Sequence, residues 1–187
     1  MAVYLFDDLL KKASSQGISG NTADARNWFR NQASKVAADP NKLINEDKTR
    51  LVKKPVLGNM YLFRYDPKLK NVLPYYDTFP LIFPFKSTTV TGMAGNKKGF
   101  MGLNMHYLPL PLRAKLMDML YQVSSDPKTD AVGKMRISYR ILSSTSKISY
   151  YEPCIKQYLF DHVRSSFFEI TSKEWNMALF MPLERFK

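Results

Sequence analysis

Three kinds of residue are scarce in this sequence, and each scarcity narrows the possible functions. Cysteine occurs once, at Cys154, which excludes an internal disulfide and a cysteine-rich metal site and fits a reducing compartment. The two histidines, His106 and His162, have no second ligand at a metal-binding spacing, so we expect both to be structural. Acidic residues number 16 against 28 lysines and arginines, a formal net charge of +12 that favours an anionic partner such as DNA, RNA or an acidic protein surface.

Long apolar runs are also missing from the chain. No segment approaches the ~20 consecutive apolar residues that a membrane-spanning helix needs. At the amino terminus Asp7 and Asp8 interrupt the apolar pair Leu5-Phe6 before the core of a signal peptide develops. We therefore expect a soluble protein, or part of a soluble assembly, with no membrane partner.

The densest apolar and aromatic segment lies between residues 58 and 107 and predicts the core of the fold. In residues 60–65 methionine and leucine alternate with tyrosine and phenylalanine, so both faces of a strand here are covered. The run 79–85 carries two prolines and is expected at an edge or a strand end. The run 99–107 has glycines where a bulge or a close backbone approach requires them. Together these strands predict a small curved antiparallel sheet or an SH3-like barrel.

Helical periodicity appears on both sides of this core segment. Apolar residues recur every three or four positions in segments that we predict to be helices: 3–12, 23–38, 112–123 and 152–163. Serine, threonine and glycine at 86–98 predict an exposed loop, and residues 167–170 predict a closing strand.

A change in composition predicts where the domains begin and end. The segment 41–55 is charged and has too few apolar residues to pack, which is typical of a linker. We therefore predict an α+β protein with a helical arm at 1–40, a basic linker at 41–55 and a single α+β core domain at 56–187. In that domain two or three helices pack on the sheet.

Lysines and arginines beside aromatic or flexible segments are the candidate DNA contacts. Cations interleaved with Trp28-Phe29 suit phosphate binding, and cations in a linker or a loop suit a path along a phosphate backbone. The candidates for nucleic-acid binding are Arg26, Arg30, Lys35, Lys42, Lys48, Arg50, Lys53, Lys54, Lys97 and Lys98. The alternative is that these charges form a solvated surface that keeps the chain soluble.

The amino-terminal helices carry the candidate contacts with a protein partner. A helix shorter than ~12 residues is marginal in water, so its apolar stripe must be buried against the rest of the chain or against a partner. The partner-binding candidates are Leu5, Phe6, Leu9, Trp28 and Phe29. The alternative is that Trp28 and Phe29 anchor their helix on the core.

Residue patterns typical of catalysis are weak. Asp66, Asp77, Asp118 and Glu169 offer the carboxylates that a two-metal nuclease requires, but turns already account for Asp66 and Asp77. Cys154 has the surroundings of a small core residue rather than those of a nucleophile. We therefore predict no enzymatic activity, no cofactor and no metal, and keep a metal-dependent nuclease as a third hypothesis.

Several segments together resemble one family of virion proteins. They include ARNWFR at 25–30, LPYYDTFPL at 73–81 and GFMGLNMHYLP at 99–109, with further similarity at 155–159 and 175–186. Over most of its length the sequence is similar to the DNA end protectors, or head-completion proteins, of large contractile-tailed (T-even-like) bacteriophages.

The resemblance implies a non-enzymatic structural protein that binds duplex DNA ends at the head-to-tail portal without reading sequence. The alternative is an assembly protein of the phage tail, neck or baseplate that binds neighbouring virion proteins. Both imply a component of a multi-subunit assembly in the virion, present in the host cytoplasm during assembly. The resemblance supplies no catalytic residue.

Overall fold

A six-stranded antiparallel sheet forms the centre of the protein. The computed structural model describes residues 5–18, 23–36, 38–92, 95–124, 130–146 and 148–187. The strands are β1 (Leu51–Val52), β2 (Met60–Leu62), β3 (Leu81–Gly92), β4 (Gly95–Asn104), β5 (Ile155–Leu159) and β6 (Phe167–Ile170). They lie in the order β1-β6-β2-β3-β4-β5, so β1 and β5 are the edges. The predicted curved antiparallel sheet is therefore confirmed. It is an open sheet with two edges and not a closed barrel.

Helices pack against one face of this sheet. They are α1 (Leu5–Ser15), α2 (Ala23–Ala33), α3 (Pro40–Glu46), α4 (Leu110–Ser124), α5 (Ala131–Thr145) and α6 (Trp175–Phe180). Short 3-10 turns occupy Lys48–Arg50, Met105–Tyr107, Ser149–Cys154 and Phe160–His162. The combination confirms the predicted α+β class. No helix in the described ranges has the length and the apolar composition needed to cross a membrane.

The two faces of the sheet bury different kinds of side chain. In β2 Met60 and Leu62 join the large core between the sheet and the helices. Tyr61 and Phe63 belong to a second, mainly aromatic cluster on the other face, where the ring centroids of Phe63 and Phe167 are 4.7 Å apart. Tilted aromatic pairs of this kind add about 0.5–1.5 kcal/mol beyond the area they bury. The alternation predicted for this strand is confirmed.

The chain crosses the aromatic face between β5 and β6. The 3-10 turn Phe160–His162 follows β5, and Val163 then forms an isolated antiparallel bridge with Tyr65. The Tyr65 hydroxyl accepts a hydrogen bond of 3.1 Å from the backbone N–H of Leu159. Phe160 packs against the aromatic cluster. This crossing segment, residues 160–166, is therefore held against the end of β2, where the candidate site lies.

The amino-terminal helix α1 packs on the helix-covered face. Phe6, Leu9 and Ala13 share one side of the helix and are buried. The ring of Phe6 stacks on that of Phe168 in β6, with centroids 6.4 Å apart. Gly17 ends the helix with φ of 67°, a left-handed conformation that glycine adopts without steric cost. The helix predicted at 3–12 is thus present from residue 5, and residues 3 and 4 lie outside the described ranges.

The segment between α2 and β1 bears on the predicted division into domains. Helix α3 begins here because the Asp39 side chain accepts a hydrogen bond of 3.0 Å from the N–H of Asn41 and so caps the helix. Leu43 and Ile44 of α3 are buried in the helix-side core. The division into arm, linker and core domain stays a prediction, which limited proteolysis would test.

Two predicted elements are wrong in type. Residues 86–98, predicted as a loop, mostly form the ends of β3 and β4, which pair in register from Lys86 to Gly92. Their serine, threonine and lysine side chains lack the apolar alternation that indicates a strand. Residues 152–163, predicted as a helix, contain β5 between two 3-10 turns. Their apolar residues match the helical period, but pairing of β5 with β4 determines the backbone instead.

Candidate nucleic-acid interface

The candidate site is formed by four chain segments that lie side by side beyond the end of β2. The Arg164 N–H donates to the Arg64 carbonyl at 2.8 Å, the Tyr65 N–H to the Thr78 carbonyl at 3.0 Å, and the Thr78 N–H to the Arg185 carbonyl at 3.0 Å. In spatial order the segments are 162–165, 64–66, 77–78 and 185–187. The fold thus gathers residues that are remote in sequence.

Arg64 and Arg164 lie directly opposite each other in this arrangement. The bridge between Tyr65 and Val163 fixes their register, and the Arg64 N–H donates to Ser165 Oγ at 2.9 Å. Both arginines line the same cleft. Like charges directly opposite on neighbouring strands destabilise a sheet. An anion bound between the two guanidinium groups would offset this repulsion.

The two arginines belong to a cleft of about 640 Å³, which we call the cationic cleft. Its charged side chains are Arg64, Asp66, Lys70, Arg164 and Lys187. The Asp66 carboxylate lies 2.9 Å from Lys70 Nζ and 3.5 Å from Arg164 Nη2. The hydrogen bond from Lys70, with the nearby charge of Arg164, holds the pKa of Asp66 below its usual value. Asp66 is therefore ionised at neutral pH, and positive side chains remain in excess.

A second depression, of about 510 Å³, adjoins the cationic cleft and shares Arg164 with it. Lys53 and Lys54, which follow β1, supply its other cations, and Ser165 and Ser166 supply hydroxyl groups. We call this depression the cationic groove. Because Arg164 lines both, the cleft and the groove adjoin at this side chain, and we call the two together the basic surface.

The other predicted nucleic-acid-binding cations are spread over the chain. Lys97 and Lys98 lie in β4, and Lys97 Nζ is 3.2 Å from the Asp161 carboxylate in the crossing segment. The remaining exposed candidates lie on or beside α2, α3 and the 3-10 turn before β1: Arg30, Lys35, Lys42 and Lys48. The candidates include two pairs of adjacent lysines, and of these Lys53 and Lys54 line the basic surface.

Arg26 and Arg50 have structural contacts within the chain. Arg26 of α2 forms an ion pair with Asp118 of α4. Arg50 forms an ion pair with the buried Glu174, and its guanidinium carbon lies 4.6 Å from the ring centroid of Phe168. These contacts pair both cations with carboxylates of the same chain and link separate elements, so neither arginine belongs to the basic surface.

Most of the predicted partner-binding residues lie inside the chain's own core. Phe6, Leu9 and Phe29 are buried there. Trp28 is partly buried against the same core, and its indole N–H donates to Gln16 Oε1 at 2.7 Å. The side chain of Leu5 lies outside the described part of the structure. Trp28 and Phe29 therefore pack on the core, as the alternative interpretation of these two residues has it, and the binding of a partner by this set stays a prediction.

Asp77 and His106 form a buried pair. His106 Nδ1 is 2.6 Å from Asp77 Oδ2, and both side chains are almost completely inaccessible to solvent. Asn104 Nδ2 donates to the same carboxylate oxygen and to the Tyr158 hydroxyl, each at 3.1 Å. The structural role expected for His106 fits this geometry, because the pair joins the 77–79 turn to the end of β4.

The other residues that the sequence offers as metal ligands or nucleophiles lie apart from one another, each in its own surroundings. Glu169 accepts a hydrogen bond of 3.0 Å from Asn59, and Asp118 pairs with Arg26. Cys154 is buried, and burial raises the pKa of its thiol to about 12, so at neutral pH it is a neutral core residue. In the described part of the chain, no group of three or more histidine, cysteine, aspartate or glutamate side chains is arranged to hold a metal ion.

The fold and its basic surface together define a basic α+β protein with a surface suited to phosphate groups. Over residues 4–187 the sequence matches the family model described as the phage T4 terminal DNA protecting protein. The chain belongs to this family, and its role is the structural protection of phage DNA ends. Searches of curated proteins and of solved structures found no match.

Sequence reasoning missed most of the cationic cleft. It did not select Arg64, Lys70, Arg164 or Lys187, because none is adjacent to another lysine or arginine in the sequence. One sequence feature could have identified Arg64 as a candidate: it is a charged residue within an otherwise apolar strand segment. Its partner Arg164 is a hundred positions away and becomes recognisable only when the Tyr65–Val163 bridge is known.

Proposed function

We propose that the protein covers the ends of duplex DNA at the head-to-tail portal and holds them through the phosphate backbone. The observation that carries this proposal is the basic surface, in which Arg64 and Arg164 lie opposite each other and Lys53 and Lys54 line a groove together with Arg164. Cations of this kind neutralise phosphates whatever the base sequence. The binding is therefore independent of sequence.

The protein acts by occupying the DNA end and catalyses no reaction. The separate engagement of Asp66, Asp77, Asp118 and Glu169 supports this part of the proposal, because a two-metal nuclease needs its carboxylates gathered around one site. The protein is present in the host cytoplasm during assembly and works in the virion as one component of a multi-subunit structure.

Binding to one duplex in linear and in covalently closed form, measured across a salt series, tests the proposal. We expect the linear form to bind more tightly. The logarithm of its binding constant should fall linearly with the logarithm of the salt concentration, with a slope of about −0.9 for each phosphate contacted. Equal affinity for the two forms would contradict end protection through this surface. Absence of binding at moderate salt would favour the assembly protein instead.

An exposed apolar loop supports a second candidate role, the binding of a neighbouring virion protein. Leu69, Val72, Leu73 and Tyr75 are exposed between β2 and β3, and Phe186 is exposed beside Tyr75 with ring centroids 5.9 Å apart. Clustered exposed apolar side chains mark interaction surfaces more often than isolated ones do.

The loop's role is tested by replacing an apolar side chain that has no packing role. We expect Val72→Asp to reduce incorporation of the protein into virions and to leave DNA binding unchanged, with the exposed Lys115→Gln as the control. Normal incorporation of the Val72 variant would contradict a docking role for the loop.

A further inference from the structure

Arg64 is a charged residue of the cationic cleft whose side chain has no role in holding the described part of the fold together. It is exposed, and its guanidinium has no hydrogen bond or ion pair with the part of the chain that the structure describes. Arg164 contacts the Asp66 carboxylate at 3.5 Å and the Asp161 carbonyl at 3.3 Å, both long for hydrogen bonds from a charged donor. Both guanidinium groups therefore have donors available to a ligand.

The charge of the cleft points to an anion as that ligand. Its charged side chains are four cations and the single carboxylate of Asp66, and Lys70 already binds that carboxylate at 2.9 Å. Opposed arginines cost stability. Local features that weaken a fold without an internal compensation are expected at functional sites. A ligand with more than one negative charge would neutralise the excess.

The donor geometry suits the paired oxygens of a phosphate or a carboxylate, and the family's DNA ligand supplies phosphates. The planar fork of an arginine side chain pairs with two oxygens of one phosphate, and two such forks face this cleft. A phosphate ester with a free end carries a charge of about −1.5 to −2 and three acceptor oxygens. A phosphodiester within a strand carries a single charge. The cleft therefore suits a terminal phosphate better than an internal one.

We propose that the cationic cleft binds the terminal phosphate of a DNA strand. Arg64 and Arg164 contact its oxygens, while Lys53 and Lys54 of the neighbouring groove contact the backbone that leads away from it. This inference rests on the proposed function and narrows it, because it identifies the chemical group by which an end is told from the interior of a duplex.

Four short duplexes of one sequence test the inference: linear forms with 5′-phosphate, 3′-phosphate or hydroxyl ends, and a closed form without ends. We expect one of the phosphorylated forms to bind about tenfold more tightly than the hydroxyl form, which corresponds to about one added charge-assisted hydrogen bond. Arg64→Gln is expected to abolish that difference. The matched control is Arg140→Gln, which removes one exposed arginine from α5 and should preserve the difference.

The outcomes separate this inference from the proposed function. If all linear forms bind equally and more tightly than the closed form, end protection stands and the phosphate site is overturned. If the phosphate advantage persists in Arg64→Gln, or is lost equally in Arg140→Gln, the added charge acts through the general field and the site is also overturned. Equal binding of the closed form and all linear forms would overturn both proposals.

Inorganic phosphate distinguishes a DNA end from a free anion as the occupant. We expect it to compete with the phosphorylated duplex only at millimolar concentrations, because it lacks the backbone contacts with Lys53 and Lys54. Binding of inorganic phosphate alone as tightly as the phosphorylated duplex would assign the cleft to a free anion and overturn the assignment to DNA. Thermal unfolding of both arginine variants checks that they are folded.

Discussion

Gly99 of β4 is a single residue whose replacement gives a sharp packing prediction. A Cβ atom at this position would lie 2.2 Å from the Tyr158 carbonyl oxygen of β5, a contact that only backbone movement relieves. We expect Gly99→Ala to lower the free energy of unfolding by roughly 1–3 kcal/mol, the usual cost of overpacking. The matched control is Gly102→Ala in the same strand, whose Cβ would meet the Phe83 carbonyl oxygen at 3.2 Å. Urea unfolding measures both, and equal losses would contradict the argument.

Asp77 makes an acid-sensitive contribution to stability. Burial raises the pKa of Asp77, but the hydrogen bond and charge of His106, with hydrogen bonds from Asn104 and the Phe79 N–H, outweigh it and lower the pKa overall. A carboxyl whose pKa is lower in the folded state stabilises the fold above its unfolded pKa of about 4. That contribution is lost as the pH falls through the lower, folded value.

We therefore expect Asp77→Asn to lower the free energy of unfolding by roughly 1–3 kcal/mol at about pH 7, because an amide cannot accept all the buried hydrogen bonds that the carboxylate accepts. We also expect the free energy of unfolding of this variant to decline less steeply below about pH 4 than that of the unmodified protein. Urea unfolding as a function of pH measures both effects. Asp8→Asn, at an exposed position of α1, should leave the curve unchanged. An unaltered acid decline in the Asp77 variant would contradict the assignment.

Single residues also show which parts of the site could be predicted from the sequence. Lys53 and Lys54 were found because adjacent cations are visible in the sequence, and they do lie on the basic surface. Arg64 and Arg164 were missed because their proximity depends on a long-range backbone bridge. The expected structural role of His106 fits its buried pair with Asp77, but the sequence pattern indicates for Asp77 only a turn or a metal-binding carboxylate.

Among the elements, α1 gives a prediction that bears on the domain division. Phe6 is buried, stacks on Phe168 and lies 5.5 Å from the Arg50 guanidinium carbon. We expect Phe6→Ala to lower the free energy of unfolding of the whole chain by roughly 3–5 kcal/mol. Lys11→Ala, at an exposed position of the same helix, is the control. Unchanged unfolding together with early proteolytic release of α1 would instead support a separately folding arm.

The elements that sequence reasoning recovered are those whose side chains report their environment. Strand β2 alternates between two buried faces, and α4 repeats its buried residues at helical spacing, so both were found. The outer half of the β3–β4 hairpin is largely exposed, and backbone pairing determines its structure without an apolar pattern. Strand β5 was misassigned because its apolar residues match a helical period by coincidence of spacing.

At the scale of the whole molecule, the distribution of apolar contacts separates two surfaces. One face of the sheet is covered by helices, and the other is closed by the aromatic cluster and the crossing segment. The cationic groove, with Lys53 and Lys54, borders the crossing segment, whereas the cationic cleft at the end of β2 also has Asn41 of α3 and Phe79 of the helix-side core in its lining. The family places a phosphate-rich ligand against the protein, and the net charge of +12 alone does not say which face meets it.

Removing charge from the cationic groove, and separately from the exposed side of α5, tests which of these two regions meets the DNA. We expect Lys53→Gln with Lys54→Gln to weaken binding to linear duplex and to reduce the log–log salt slope by about two, since each lysine releases about one counterion. The control removes the same charge from the exposed side of α5 through Arg136→Gln with Arg140→Gln, and its slope should match that of the unmodified protein. The two double variants have the same net charge, so a general attraction between a basic protein and DNA would lower both slopes equally. A slope that falls only in the α5 variant would place the DNA on the helix-covered face and remove the basic surface from the mechanism.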